Sequence, residues 1–511
     1  MKRKVRIILA SLLVIILISA CAPNTPPVEE EPSALGRGII VAIGADTPAI
    51  APAQFNNTSG FYIVTMTHNG LFRIDAETLL PIPDLVSEWE SISETVFEFT
   101  IHEGIKFHNG EEMTSADIIA SFDYARTFPI SVNAFRSIAS YEVIDDYSIR
   151  IDTGYPNAML LYDLASHPSF IMPKSLIDSG NDFNTNPVGS GPFAATELKP
   201  GDSYTFEAFK DYFDKERAAK VESVTVRIIP EGFSRTLALE AGEIDFNVTV
   251  QPQDVGRMYG NPDISVINKP GTQHVVMYLN NELPQFDTAD KRRIISMAID
   301  KEAMMLAAYE GHIEPSSAHA ALVFEGSTEE GSYNYDPERA KELLAQLKID
   351  PSSLGFELIA AVDVWAVQAQ VVQANLAEIG IPVTITRLDV PATQQRLNAG
   401  EYQAAFMGFT QPSLLGFMRL NFHSSNIGTI NRVRVNNPEL DNLINSAQAE
   451  TTDVAARNAF LRQAVIMANQ NAYLIPSHTN MLQRAHNAKL VVPEVAATDF
   501  PLYLNMVYWT E

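Results

Sequence analysis

Apolar and polar positions alternate along the chain with two periods, and both recur from one end to the other. Phe97, Phe99 and Ile101 are separated by Glu98 and Thr100, the period of a strand with one buried face. Val224, Val226 and Ile228 repeat it. Thr114-Ser-Ala-Asp117 has the form of a capping box, and Ile118, Phe122 and Ala125 then fall on one helical face. Asp336-Pro337 sets an N-cap ahead of a proline at the first helical position, with Ala340, Leu343, Leu344 and Leu347 as the apolar stripe. Asn437-Pro438 repeats the device ahead of Leu440, Leu443, Ile444 and Ala447. Ser234 predicts the N-cap of a short helix stopped at Gly242. A longer helix is predicted from about Asp453 to Ala468, with Phe460, Leu461, Ala464 and Val465 inward. Helix and strand mix along the whole length, so the predicted class is α/β or α+β with several sheets. No internal repeat of fixed period is present.

The first residues break this pattern. Lys2, Arg3, Lys4 and Arg6 precede an apolar run from Ile7 to Ile18 interrupted only by Ser11. That run is short of the roughly 20 residues a membrane-spanning helix needs and suits a secretory signal. Leu17-Ile18-Ser19-Ala20-Cys21 resembles the bacterial lipobox, which implies lipidation of Cys21 and removal of residues 1–20. Cys21 is the single cysteine of the chain, which excludes an internal disulfide framework and a cysteine-based zinc cage. Residues 21–37, rich in proline and glutamate, read as an extended tether, with the folded part expected from near Gly38. No later apolar run reaches membrane-spanning length.

With 511 residues, 46% hydrophobic and 19% charged, the chain can bury a large core in two to four domains. Its net charge of −26 argues against a nucleic-acid partner, and removal of the leader makes the balance more acidic.

Several segments, in order, resemble the extracellular solute-binding proteins of ABC importers, in the family that includes peptide-, glutathione- and nickel-binding members. They are Leu85-Val-Ser-Glu-Trp89, Phe97 to Gly110, Met113 to Phe122, Pro187-Val-Gly-Ser-Gly-Pro-Phe193 and Arg235 to Asp245. Arg292 to Lys301, Tyr335 to Lys341, Ile379-Gly-Ile381, Asn437 to Asp441 and Ile475-Pro476 continue the series. The resemblance implies an α/β, periplasmic-binding-protein-like two-lobe fold with a hinge and an extra inserted domain. Domain I would comprise residues 38–60, 186–272 and 485–511, domain II the insertion 61–185, and domain III residues 273–484. It further implies a lipid-anchored receptor on the extracytoplasmic face of the cell membrane. Such a receptor, expected as a monomer without cofactor, would close on a small solute or peptide and deliver it to permease subunits. A transporter-independent sensor or surface binding module on the same fold is the alternative.

Catalysis is not expected. The chain has no G-x-S-x-G, H-E-x-x-H, G-x-x-x-x-G-K or G-x-G-x-x-G, and Gly189-Ser190-Gly191 lies in a turn ahead of Pro192. His102 and His108 read as surface imidazoles on a hairpin rather than metal ligands.

In peptide-binding relatives a loop resembling Gly-Trp-x-x-Asp supplies an aromatic wall and a carboxylate for the ligand ammonium. Here the matching stretch is Met407-Gly408-Phe409-Thr410-Gln411-Pro412-Ser413, which keeps an aromatic and has no acid. Phe409 could stack on a ligand, and Thr410, Gln411 and Ser413 offer neutral hydrogen bonds. An unpaired buried ammonium would cost about 2–5 kcal/mol, which disfavours a free peptide amino terminus as the main determinant. Thr58, Ser59 and Phe61 of a polar loop, and Trp365 at a strand-to-helix edge, are further cleft candidates. Gln273, next to His274, and His478 with Asn480 fall at the two expected crossings between domains, where hinge packing competes with ligand contact.

Overall fold

A computed structural model describes residues 35–55, 57–493, 495, 498 and 502–510. The expected leader, Cys21 and nearly all of the tether lie outside the described residues. Gly36 and Arg37 are already docked: Gly36 N donates to Lys220 O, and Trp509 Nε1 donates to Arg37 O.

Ten strands form one mixed sheet. Their order is Val383–Arg387, Phe356–Ala360, Ala404–Phe409, Ile264–Leu279, Leu474–Asn487, Phe246–Asn247, Ile39–Ile43, Ser223–Ile228, Ser203–Ala208 and Phe193–Lys199. Only the pairs of Ile39–Ile43 with its two neighbours and of Phe356–Ala360 with its two neighbours are parallel. Two long strands join the halves of the sheet. Ile264–Leu279 pairs with Leu474–Asn487 from one half into the other, and the register breaks between Pro270 and His274 and again at Val275/Val276. The ladder is interrupted there, where the resemblance places the hinge of the two-lobe fold.

The first half-sheet buries Val41, Phe193, Phe206 and Val226 with Tyr62 and Leu504. The second is buried on both faces, under Ile294, Ile295 and Val372 on one side and Phe417, Ile444 and Leu461 on the other. A separate antiparallel sheet, ordered Val86–Ser91, Val96–Ile101, Ser148–Asp152 and Ser140–Val143, packs Phe99 and Ile149 against the helix Ser115–Arg126. Ile118, Phe122 and Ala125 are its buried face, and Asp117 completes the capping box from Thr114. The hairpin Phe72–Ile74/Pro81–Pro83 carries Leu79 at its tip in the left-handed region (φ 58°), where its side chain enters the core around Phe417 and Leu461. A backbone bond from Ala158 N to Gln448 O, 2.9 Å, joins the same two regions.

The helix placed at Ser234 runs over Gly232–Glu240 with Glu231 as its cap. Arg235 Nη1 donates to the carbonyls of Ile229 and Pro230, which draws the first turn forward and leaves Ser234 inside it. The long helix spans Val454–Asn471, three residues past Ala468, because the buried Asn469 amide is held by the carbonyls of Thr328 and Glu330. Leu347 of the predicted stripe is exposed, as the helix Pro337–Leu347 ends there. His108 is not a surface imidazole. Its Nε2 donates to Gly191 O at 3.0 Å, and its Nδ1 accepts from Gly189 N at 3.3 Å, so it clamps the turn 187–193.

Candidate functional site

The loop expected around Thr58 is the start of a helix, Thr58–Thr67. Asn57 caps it by accepting from Gly60 N at 2.9 Å. The helix places Phe61 and Thr65 on one face by their four-residue spacing, His68 follows as its extended C-cap, and all three line a cleft of about 860 Å³, open mouth included. Its C-terminus is fixed by the 187–193 turn. A Cβ on Gly189 would lie 2.2 Å from Thr67 O, and one on Gly191 2.4 Å from Met66 O, so two glycines are required for that approach.

Phe61 stands edge-on to His167 with ring centroids 4.5 Å apart, and His167 stacks on Phe55 at 4.2 Å. His68 Nδ1 is hydrogen-bonded to Thr67 Oγ1 at 2.8 Å, whereas its Nε2 has no protein partner. Burial, with His108 nearby, holds His68 down to about 3, so it is neutral.

The opposite end of the cleft is cationic and aromatic. Arg73 and Arg217 lie over the Tyr503 ring at 5.8 and 4.8 Å, and the Tyr503 hydroxyl donates to Ile74 O at 2.6 Å. Arg73 has no hydrogen bond or ion pair to any described residue. Tyr162, Phe170 and Tyr212 complete the walls, and burial pushes the Tyr162 hydroxyl up to about 12. One acid, Asp84, faces the cleft. It accepts from Asn69 Nδ2 at 2.9 Å, and the same amide donates to Tyr212 Oη at 3.2 Å. Burial raises the Asp84 carboxyl, against the pull of Asn69, Arg73 and Arg217.

The candidates named from sequence fall into three places. Gly408, Gln273, His478 and Asn480 meet at the hinge. His478 Nε2 is hydrogen-bonded to Asn480 Oδ1 at 3.0 Å and to Tyr309 Oη at 3.1 Å, Asn480 Nδ2 donates to Gln273 Oε1, and the Gln273 side chain lies against Gly408. Phe409 pairs across the sheet with His274 and sets its ring 6.0 Å from Phe417, in the core of the second lobe. Trp365, in the helix Asp363–Glu378, packs between the two cores of that lobe.

The loop of Thr410, Gln411 and Ser413 reaches the cleft through Pro412. Gln411 Nε2 bonds its neighbour Thr410 O, and Ser413 caps the helix Leu414–Phe422 by accepting from Gly416 N. Thr58 is half-buried, and Ser59 donates to Ala45 O at 2.7 Å. Arg73, Asp84, Tyr212, Arg217 and Tyr503, which line the cleft, had no sequence signal beyond type, because they converge from distant segments. The i, i+4 spacing of Phe61 and Thr65 was a signal, masked by the polar run before it. Among the described residues no group of His, Cys, Asp and Glu is placed to hold a metal ion.

A two-lobe molecule with a hinge and a ring-lined cleft between its parts has the form of a binding protein. The family profile of bacterial extracellular solute-binding proteins, family 5, matches residues 81–429, and the chain belongs to that family. Its members are extracytoplasmic binding proteins of transport systems, not enzymes. The chain is 26% identical over 444 residues to heme-binding protein A of Haemophilus influenzae, covering 78% of this chain and 79% of that protein. It is 24% identical over 367 residues to the glutathione-binding protein of Salmonella typhimurium, covering 70% and 71%. Among solved structures, HbpA2 of Haemophilus parasuis superposes with a TM-score of 0.85 at 22% identity, covering 93% of this chain and all of that one. The peptide-complexed DppA of Helicobacter pylori gives 0.76 at 24% identity, covering 93% and 99%.

Proposed function

We propose that this protein is a receptor, lipid-anchored through Cys21, that takes a carboxylate-bearing solute into the cleft and passes it to an ABC import permease. Arg73 carries the ligand class. A guanidinium at a cleft wall, over a ring face and near Asp84 but hydrogen-bonded to no acceptor, is a ready donor to a carboxylate. The rings of Phe61, Tyr162, Phe170 and Tyr503 suit an apolar or planar body beside that group. Glutathione and heme, named for two relatives, both carry carboxylates, which agrees with such a wall. The 408–413 loop has no acid and Asp84 is tied to Asn69, so a ligand ammonium is not the main determinant.

Calorimetry on the chain from Gly36 onward, with glutathione, di- and tripeptides and their methyl esters, tests the ligand class. Every binder should lose at least tenfold on esterification, and esters binding as well as free acids would refute it. Cys21→Ser should leave the precursor unprocessed or released, and full retention in the membrane fraction would refute the anchor. Deletion should abolish uptake of the identified solute; unchanged uptake would refute delivery to a permease.

A further inference from the structure

Beyond the cleft, two further voids run along the junction of the small-sheet region with the second lobe. One, of about 430 Å³, shares Pro412 and Tyr162 with the cleft. The next, of about 790 Å³, shares Tyr162, Leu80 and Arg457 with the second; both volumes include open solvent at the mouth. Trp89, Phe97 and Leu161 form the apolar wall of that outer void from one side, and Thr451, Val454 and Arg457 face them from the other.

Two polar groups there lack a partner among the described residues. Arg457 is 9% exposed and projects from the helix Val454–Asn471, yet its guanidinium makes no hydrogen bond and no ion pair with any described residue. Asn157 is 1% exposed; its Oδ1 accepts from Met159 N at 3.2 Å, and its Nδ2 has no partner. No carboxylate lines the outer void, and Glu325, exposed at the rim of the middle one, is not within ion-pair distance of Arg457. Burying an amide N–H without an acceptor is unfavourable, and a guanidinium facing a void with no carboxylate is open to an incoming oxyanion.

We infer that this junction is a second ligand site, separate from the cleft, for a small carboxylate on an aromatic or branched apolar body. Arg457 and the Asn157 amide donate to the carboxylate, and the body lies on Trp89 and Phe97. Because its walls come from both sides of the contact, an occupant also bridges them.

The test uses 3-phenylpropionate as probe, 3-phenylpropanamide as its uncharged control, and tryptophan emission of the full protein as readout. Trp89 is one of three tryptophans and lines this void alone among the three cavities described, so its emission reports this site. The acid should change the emission saturably, with the amide at least tenfold weaker. The signal should vanish in Trp89→Phe and persist in Arg73→Met, which separates this site from the cleft. Arg457→Met should raise half-saturation at least tenfold, and Asn157→Ala, a second variant should the first not fold, about threefold or more. No saturable change in the wild type, equal binding of acid and amide, or unchanged half-saturation in the folded variants would overturn the assignment.

Discussion

The hinge and the cleft hold comparable sets of polar side chains and pair them to different extents, although Gln368 Nε2 at the hinge is open and Asp84, Asn69 and Tyr212 are joined in the cleft. At the hinge His478 is bonded to Ser477, Asn480 and Tyr309, Ser477 Oγ donates to Gln368 Oε1 at 2.8 Å, and His274 bonds Thr479 Oγ1 and Ala318 O at 3.1 and 3.0 Å. In the cleft Arg73 has a ring face and no acceptor, and His68 Nε2 has nothing. Polar groups bonded to one another hold a geometry, and polar groups left open wait for a partner from outside. The comparison therefore assigns stability to the first set and ligand recognition to the second, and each assignment can be broken separately.

The largest effect expected is on stability in acid. Burial holds His274 at about 4 and His319 and His478 at about 3, all below the ordinary value of an unfolded histidine. Between pH 6.5 and those values each of these histidines is protonated in the unfolded chain and not in the folded one, while Asp163, raised by burial to about 7, opposes them. The histidines' contribution to stability is therefore intact above pH 6.5 and falls as pH drops, by up to about 1.4 kcal/mol per unit for each histidine. Denaturant unfolding at pH 7, 6 and 5 should show a steepening loss in Asp163→Asn, which removes the opposing carboxyl; a flat profile in that variant would mean the histidines are not held neutral.

Next in size is His478→Ala. It takes a partner from Asn480, Tyr309 and Ser477, of which Ser477 keeps Gln368 and Asn480 keeps Gln273, and should destabilise by about 1–3 kcal/mol. Ligand affinity of the folded fraction should stay within threefold. A large loss of affinity without a loss of stability would move His478 from hinge to ligand site.

Arg73→Met reverses that pattern. Loss of a charge-assisted bond to a carboxylate should lower affinity by about 1.5–3 kcal/mol, roughly 10- to 150-fold, with only a small change in melting temperature because no protein group loses a hydrogen bond. Unaltered affinity would remove the carboxylate from the proposed ligand.

The same contrast explains what the sequence could reveal. Strand and helix periods were legible because each is local: Phe97, Phe99 and Ile101 face inward, as do Ala340, Leu344, Leu440 and Ile444. Gln273, His478 and Asn480 were set at the crossings by the resemblance to the family, and two long neighbouring strands carry them side by side. The cleft was not legible. Arg73, Asp84, Tyr212 and Tyr503 are brought together by long-range packing, and no spacing along the chain encodes it. Ends shifted where a tertiary bond outweighed a local signal, as Arg235 does at Gly232 and Asn469 at the end of its helix.

The smallest effect expected is at Gln411, and it decides whether the 408–413 loop supplies side chains or only backbone. Its amide bonds Thr410 O at 2.9 Å and its Oε1 lies 3.0 Å from where a Cβ on Gly416 would stand, so the side chain folds back on its own loop. It caps no helix, and from this loop it is Pro412 that lines the cleft. A neutral hydrogen bond is worth about 0.5–1.5 kcal/mol net, and a partly exposed one within a loop sits at the low end. Gln411→Ala should therefore change affinity for the carboxylate ligand by less than about 0.5 kcal/mol, roughly twofold. Calorimetry beside Arg73→Met gives both values under one condition. A loss at Gln411 as large as that at Arg73 would place the ligand's polar group against the second lobe, and the division between a recognising first wall and a closing second one would fail.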